Sequence, residues 1–241
     1  MRGPIPSRRR DRTAEWFVPK FGPPRFRATI GLLFLPYTGM VLSYTIIGAM
    51  LAPSVAWDRV VALLAIYFLA LGIGAHAFDA LGSRVTKPWG EHFTTRQLWI
   101  LGGVSLACAY LIGIHYMVTV APYLWPLAIA EGFFVLAYNL EWFHGRFHTD
   151  GWFAVSWGAL PVLAGYVLQT NSISLAVVLM AMAAALFSLV EIKASRPYKE
   201  AKRSGDPASS PLLPCLEGIL KCISGSVLLL GAAMVAFRWN G

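Results

Sequence analysis

Residues 74–97 read GAHAFDALGSRVTKPWGEHFTTRQ and lie between two long apolar runs. The stretch contains five charged residues and two histidines: Asp79, Arg84, Lys87, Glu91, Arg96, His76 and His92. Charged side chains within a bilayer are costly unless they are paired, line a cavity or reach water. We therefore predict that this stretch forms the rim of an active site at the end of a membrane helix.

The composition is typical of a polytopic helical membrane protein. Of the 241 residues, 57% are hydrophobic and 13% are charged, whereas soluble domains carry about 25% charged residues. The mean hydropathy is +0.59, and apolar runs of about 20 residues, enough to cross a bilayer, recur along the chain. The sequence predicts an all-α bundle of membrane helices rather than a water-soluble domain.

Seven membrane spans are expected from the apolar runs. They cover about 28–51, 58–78, 98–117, 122–141, 152–169, 172–192 and 213–237, with an interruption of the first at Pro36 and a long basic loop over 193–212. Residues 1–27 are expected to form a basic N-terminal segment with a disordered start, and residues 28–241 a single transmembrane domain. Four aromatic residues of that segment are expected at the level of the lipid headgroups: Trp16, Phe17, Phe21 and Phe26.

The net charge of +8 is distributed as expected for a membrane topology. Eight of the 20 basic residues lie before Thr29 and five lie between Lys193 and Arg203. Because basic loops remain in the cytoplasm, we predict a cytoplasmic N-terminus and an external C-terminus. The protein is expected in the plasma membrane of a bacterium or archaeon, with membrane lipid around it and no nucleic-acid partner.

Three polar segments are predicted to meet on the cytoplasmic side, at 76–97, 141–150 and 191–203. Carboxylates interleaved with Arg and Lys suit a metal-bridged diphosphate, since Mg²⁺ binds oxygen ligands and Arg binds phosphate. The alternative is a set of solvated loops whose basic side chains reach along the membrane surface.

The first polar segment resembles the UbiA superfamily of intramembrane prenyltransferases. That family closes its second helix with Asn-Asp-x-x-Asp-x-x-x-Asp-Arg, followed by a basic residue and proline. Residues 75–90 read AHAFDALGSRVTKPWG, in which Asp79 matches the central aspartate, Arg84 the arginine and Lys87 the basic residue before Pro88. Ala75, His76 and Ser83 replace the family's asparagine, first aspartate and last aspartate.

Further matches extend the resemblance over about residues 25–200. AYNLEW contains Tyr138 and resembles the family's tyrosine-bearing helix end, and GALPVLAGY at 158–166 resembles its glycine-rich, proline-kinked helix. The second Asp-rich motif corresponds to EIKASRPYKE at 191–200, where only Glu191 and Glu200 are acidic. The family typically has nine spans, against the seven predicted here.

The resemblance implies transfer of a prenyl group from a prenyl diphosphate to a hydrophobic or aromatic acceptor, with Mg²⁺ on the diphosphate. It implies Asp79 and Glu191 as metal ligands and Asp79, Arg84, Lys87 and Tyr138 as catalytic residues. The expected diphosphate-binding residues are Arg84, Lys87, Arg146, Lys193, Arg196 and Lys199. Because the Asp motifs are depleted, the alternative is a non-catalytic relative that binds a quinone, isoprenoid or pigment, or that acts as a scaffold in a larger membrane complex.

Other polar residues leave separate hypotheses open. Glu141, His144 and His148 have a spacing that suits three metal ligands on one helical face, although ordinary loop histidines are the simpler interpretation. Glu131 lies within a predicted span and is expected to be a structural acid, an acceptor-orienting group or a proton site. A Glu217–Lys221 pair on the last helix is expected to neutralise itself.

Overall fold

The computed structural model describes residues 12–83, 89, 92–204 and 211–239, and every regular element in these ranges is helical. Eight helices follow in chain order: α1 (Pro24–Leu32), α2 (Leu35–Met50), α3 (Trp57–Gly82), α4 (Thr95–Thr119), α5 (Leu124–Ala137), α6 (Asp150–Thr170), α7 (Leu175–Ser204) and α8 (Leu212–Trp239). The predicted all-α class is confirmed.

Six helical stretches are long and apolar enough to cross a membrane. They are Pro24–Met50, which combines α1 and α2, together with α3, α4, α6, α7 and α8. Helix α5 has only 14 residues, or about 21 Å at 1.5 Å per residue, which is less than the hydrocarbon thickness of about 30 Å. The prediction of a helical membrane protein is therefore confirmed, and the count of seven spans stays a prediction.

The first span is interrupted close to the expected proline. Phe34 has a left-handed backbone (φ 44°), and Pro36 occupies the first turn of α2. Proline is tolerated there because the first helical N–H groups lack partners within the helix.

At one end of the bundle, called the fastened end below, hydrogen bonds join the segments that connect the helices. The Ala56 N–H donates to Gln169 Oε1 at 2.8 Å, and the Tyr123 N–H donates to Asn171 Oδ1 at 2.9 Å. At the same end, Arg238 Nε donates to the Met50 carbonyl at 2.9 Å. Helix α8 therefore ends at this fastened end of the bundle. Helix α3 ends, at Gly82, at the opposite end.

A Gln169→Ala variant should lose about 1–2 kcal/mol of stability, because its amide both accepts from and donates to the backbone of Ala56. Thermal unfolding in detergent would measure the loss. Gln169→Glu keeps the acceptor and removes the donor, so an intermediate stability is expected. Equal stability of the alanine variant and the wild type would contradict this role.

The segment after the sixth predicted span is helical over 193–204, which corrects the predicted loop at 193–212 for these residues. Lys, Arg, Ala and Glu favour helix, so the charged run extends α7 beyond its apolar part despite Pro197. The extension has a consequence for function, because side chains three and four residues apart on a helix share one face.

The N-terminal segment packs against the bundle. Trp16 and Phe17 contact a buried cluster that includes Phe34, Tyr37 and Tyr198, and their level in the membrane stays a prediction. Phe21 is 73% exposed, consistent with the interfacial position expected for it. The predicted disordered start, residues 1–11, lies outside the described residues.

Two helices contain a widened, π-helical stretch. In α3 it covers Phe68–Ala75, and in α6 it covers Val155–Ala159. Such turns are uncommon and occur frequently at functional sites. The first ends immediately before His76 and the second contains Trp157, two residues of the site described next.

Candidate functional site

A polar cavity of about 420 Å³ lies at the end of the bundle opposite to the fastened one. Its walls come from the N-terminal segment, α2, α3, the α5–α6 connection, α6 and α7. Five acidic and four basic residues line it: Glu15, Asp79, Glu141, Glu191, Glu200, Arg12, Arg196, Lys199 and Arg203. The three polar segments that the sequence places on one side of the membrane therefore share one cavity, together with the N-terminal segment.

The extended part of α7 supplies one wall. Ile192, Ser195, Arg196, Lys199 and Arg203 line the cavity at intervals of one, three or four residues, as expected for one helical face. Glu191 also faces the cavity and is only 3% exposed. The helix thus places three basic side chains and a buried carboxyl group in the same space.

Lys199 is held over aromatic rings rather than next to an acid. Its Nζ lies 5.2 Å from the ring centre of Phe34 and 5.6 Å from that of Tyr37. Among the described residues, no carboxylate oxygen lies within 4 Å of this Nζ. A cation that faces a cavity without an ion pair is available to an anionic ligand.

Arg12 is a site residue that the sequence analysis did not identify. Its Nη1 lies 3.9 Å from Asp79 Oδ2, and its guanidinium lies 4.5 Å from the ring centre of Phe34. Arg27 fixes the segment by donating to the Thr13 and Pro19 carbonyls at 2.8 and 2.7 Å. Nothing in the basic N-terminal run distinguishes Arg12 from its neighbours, so only the tertiary fold identifies it.

Aromatic rings form a continuous series along the cavity wall. The rings of Phe34 and His76 are 4.7 Å apart, and those of His76 and Trp157 are 5.2 Å apart. The series continues from Trp157 to Phe153 at 5.4 Å and from Phe153 to Tyr138 at 5.9 Å. Their faces carry the negative part of an aromatic quadrupole, which attracts cations.

His76 is buried between Phe34 and Trp157, where its tautomer is fixed by Thr38. The Thr38 hydroxyl donates its only proton to the Leu33 carbonyl at 2.6 Å. The His76 Nε2 atom, 3.4 Å from the same hydroxyl oxygen, is therefore the donor in that contact. This assignment leaves Nδ1 as the basic nitrogen of the ring.

Tyr138 is the first residue after α5, at the start of the α5–α6 connection, and is 5% exposed. Burial raises the pKa of its phenol, so the group stays protonated at neutral pH. Its ring stacks on His148 at 4.4 Å, and Arg196 Nη2 donates to the His148 carbonyl at 3.2 Å. Arg196 Nε also lies 3.0 Å from Asp150 Oδ1, which orients the guanidinium at the cavity edge.

The structure brings together five of the residues that the resemblance implies: Asp79, Tyr138, Glu191, Arg196 and Lys199. Lys193 is 64% exposed in its side chain and lies 3.9 Å from Asp150, outside the cavity lining. Arg146 is exposed and does not line the cavity either. Arg84 and Lys87 lie outside the described residues. The roles of all these residues stay predictions.

The helical ligand set considered for Glu141, His144 and His148 does not form. Glu141, Phe143 and His144 have left-handed backbones, with φ of 53°, 54° and 60°. The chain is therefore not α-helical between Glu141 and His148, and the three candidate ligands do not share one helical face. Within 12–83, 89, 92–204 and 211–239, no group of three His, Cys, Asp or Glu side chains is placed to hold a metal ion.

Two carboxylate side chains line the cavity at positions that the resemblance implies as metal ligands, and this role stays a prediction. Mg²⁺ commonly binds through one or two protein carboxylates, with water and substrate phosphate oxygens completing its shell. Asp79 and Glu191 line the same cavity and fit this sparse donor set. A substrate phosphate would have to supply further ligands.

Comparisons with known proteins add no relative: no protein-family model, no curated protein and no solved structure matches this chain.

Proposed function

We propose that the protein is an intramembrane prenyltransferase that binds a prenyl diphosphate in the polar cavity and transfers the prenyl group to a hydrophobic or aromatic acceptor. The observation that carries the proposal is the composition of this one cavity at the end of an apolar helical bundle. Carboxylates and an aromatic wall meet there with Lys199, which has no ion pair among the described residues. A lipid diphosphate has the matching parts, an anionic head and a long apolar chain. The UbiA-like motif around Asp79 supports the same reaction.

The charge balance of the cavity predicts that the diphosphate binds together with a divalent cation. Among the described residues, five acidic groups line the cavity against four basic ones, so these bases would not offset both the carboxylates and an added diphosphate, and a divalent cation would favour binding. Asp79 and Glu191 would hold Mg²⁺, which neutralises charge on the leaving diphosphate. Arg196 and Lys199 would bind phosphate oxygens, and Arg84 and Lys87 are proposed to assist them.

The proposed reaction would use the other groups of the cavity, which are the aromatic series, His76 and Tyr138. The bond between the prenyl C1 and its oxygen breaks, and the diphosphate leaves with the electron pair. The aromatic series from Phe34 to Tyr138 faces the resulting allylic cation and stabilises it. A bond then forms between C1 and the acceptor, and the acceptor releases a proton.

His76 and Tyr138 are assigned to positioning and proton transfer. The Nδ1 atom of His76 is the basic nitrogen of the ring and would receive the acceptor proton. The protonated Tyr138 phenol would donate a hydrogen bond to the diphosphate or the acceptor. The chemistry is assigned to the cytoplasmic face, on the basis of the basic segments around the cavity.

The proposal is tested by calorimetric titration of the purified protein with geranylgeranyl diphosphate, with and without Mg²⁺. We expect binding that strengthens at least tenfold with Mg²⁺, and we expect Asp79→Asn to abolish this metal dependence. The exposed Asp58→Asn provides the control, since Asp58 lies in the first turn of α3, far along the chain from the cavity end. Absence of binding in both conditions would overturn the proposal.

A second function is favoured by the sparse carboxylate set. With no three potential ligands grouped among the described residues, the cavity also suits a non-catalytic protein that binds an isoprenoid or quinone, or that is part of a larger membrane complex. Such a protein would bind the diphosphate or its alcohol without turnover when acceptors are supplied. Metal-dependent release of diphosphate would exclude it.

A further inference from the structure

A second cavity, of about 80 Å³, lies between α3, α4, α5 and α6. It shares no lining residue with the polar cavity. Its walls are aliphatic and aromatic apart from four side chains with polar oxygen atoms: Tyr67, Tyr110, Tyr116 and Glu131. Since these helices form the apolar body of the bundle, the cavity lies within the membrane-embedded part of the protein.

The hydrogen bonds of Tyr67, Tyr110 and Glu131 leave one oxygen atom open. The Tyr67 hydroxyl donates to Glu131 Oε1 at 2.9 Å, and the Tyr110 hydroxyl donates to the Ala128 carbonyl at 2.7 Å. Glu131 Oε2 is buried and has no hydrogen-bond partner among the described residues. A buried oxygen without a partner is destabilising, so a ligand that reaches Oε2 would gain a hydrogen bond in an otherwise apolar pocket.

We infer that this cavity binds the hydroxyl end of a lipid-soluble alcohol. A hydroxyl group both donates and accepts, so it pairs with Oε2 whether or not the carboxyl group carries a proton. The volume favours a small head, because the cavity is about half the size of one of about 150 Å³ that binds benzene. A phosphate or sugar headgroup is too large, whereas a hydroxyl with its first carbons fits.

The rest of the alcohol would extend into the bilayer between α4 and α5. Tyr110 on α4 and Gly132 on α5 both line the cavity and are partly exposed. The Tyr110 hydroxyl lies against the Cα of Gly132, where a β-carbon would overlap it. The absence of a side chain at Gly132 therefore leaves room for the Tyr110 hydroxyl between the two helices, and the chain of the alcohol would pass beside this contact.

The inference is tested with a hexadecanol carrying a diazirine on its chain, added to the protein in phosphatidylcholine nanodiscs. Photolabelling within 105–137 is measured by mass spectrometry, with competition by hexadecan-1-ol or by hexadecane. We expect saturable labelling that the alcohol removes and the hydrocarbon does not. Equal competition by the two molecules would overturn the inference.

Three variants distinguish binding through the hydroxyl contact from nonspecific hydrophobic binding. Glu131→Leu removes the polar partner and should reduce saturable labelling at least tenfold, whereas Glu131→Gln keeps a donor and an acceptor and should stay within about threefold of wild type. Gly113→Leu fills the cavity, since a β-carbon there meets only Met117 and Ile66 at 3.7 and 3.9 Å, and it should abolish the labelling.

Each variant is first checked by thermal unfolding. If Glu131→Leu does not fold, the Gly113→Leu protein decides the question, and unchanged labelling of a folded Gly113→Leu protein contradicts the inference. No diphosphate is present in this experiment. Its failure therefore leaves the proposed prenyl transfer untouched, and failure of the diphosphate titration leaves this cavity untouched.

Discussion

A Lys199→Met variant is expected to bind geranylgeranyl diphosphate about a hundredfold more weakly than the wild type in the presence of Mg²⁺. Lys199 faces the polar cavity, and no described carboxylate is close enough to neutralise it. A hydrogen bond from a charged donor contributes about 1.5–3 kcal/mol, and a hundredfold loss of affinity corresponds to about 2.7 kcal/mol. Methionine keeps the length and the apolar stem of the side chain, so the contacts with Phe34 and Tyr37 are largely preserved.

Lys193→Met is the matched control on the same helix. Lys193 is 64% exposed and pairs with Asp150 outside the cavity, so its loss should change the affinity by less than about threefold. Calorimetry measures both variants. Similar losses in the two would show that the diphosphate responds to the general basicity of α7 and would remove the specific role of Lys199.

A Gly165→Ala variant is expected to lose about 2–3 kcal/mol of stability, with a lower unfolding temperature in detergent. A β-carbon at Gly165 would overlap the Thr45 carbonyl oxygen, and one at Gly48 would overlap the Val162 carbonyl oxygen. Backbone atoms cannot move aside as a flexible side chain can, so α2 and α6 must separate. Added atoms in a packed core typically cost 1–3 kcal/mol.

Gly225→Ala is the control for the intrinsic effect of alanine in a helix. Nothing lies within 4 Å of a β-carbon at Gly225, and alanine is about 1 kcal/mol more favourable than glycine in helices. The control should therefore be as stable as the wild type or slightly more stable. An equally stable Gly165→Ala protein would show that α2 and α6 are less closely packed than described.

The hydrophobic runs predicted most of the helices and failed at one place. Apolar length alone located α3, α4, α6 and α8 to within a few residues, because lipid requires every backbone group to be satisfied within a helix. The charged run from Lys193 to Ser204 was predicted as a loop, since hydropathy decreases there. It is helical because its residues favour helix and one face of it lines a cavity.

The candidate site was predicted in part. Asp79, Glu191, Arg196 and Lys199 come from segments whose polarity and order in the chain already indicated a shared face, and Tyr138 was indicated by the resemblance alone. Arg12 and the aromatic series were missed, because their neighbours are set by packing between segments distant in sequence. The wall from Phe34 through His76 to Trp157 draws on α2, α3 and α6.

The sequence by itself determined that this protein is a helical membrane bundle with its charged residues gathered in a few segments, because both properties follow from the local cost of placing polar groups in lipid. Only the tertiary structure decided which charges face one another. It directs Lys199 into the cavity and Lys193 away from it, although both lie on one basic helix. It also leaves Oε2 of Glu131 without a partner in a separate apolar pocket. These outcomes depend on helix rotation and on contacts between distant segments, which no local pattern specifies.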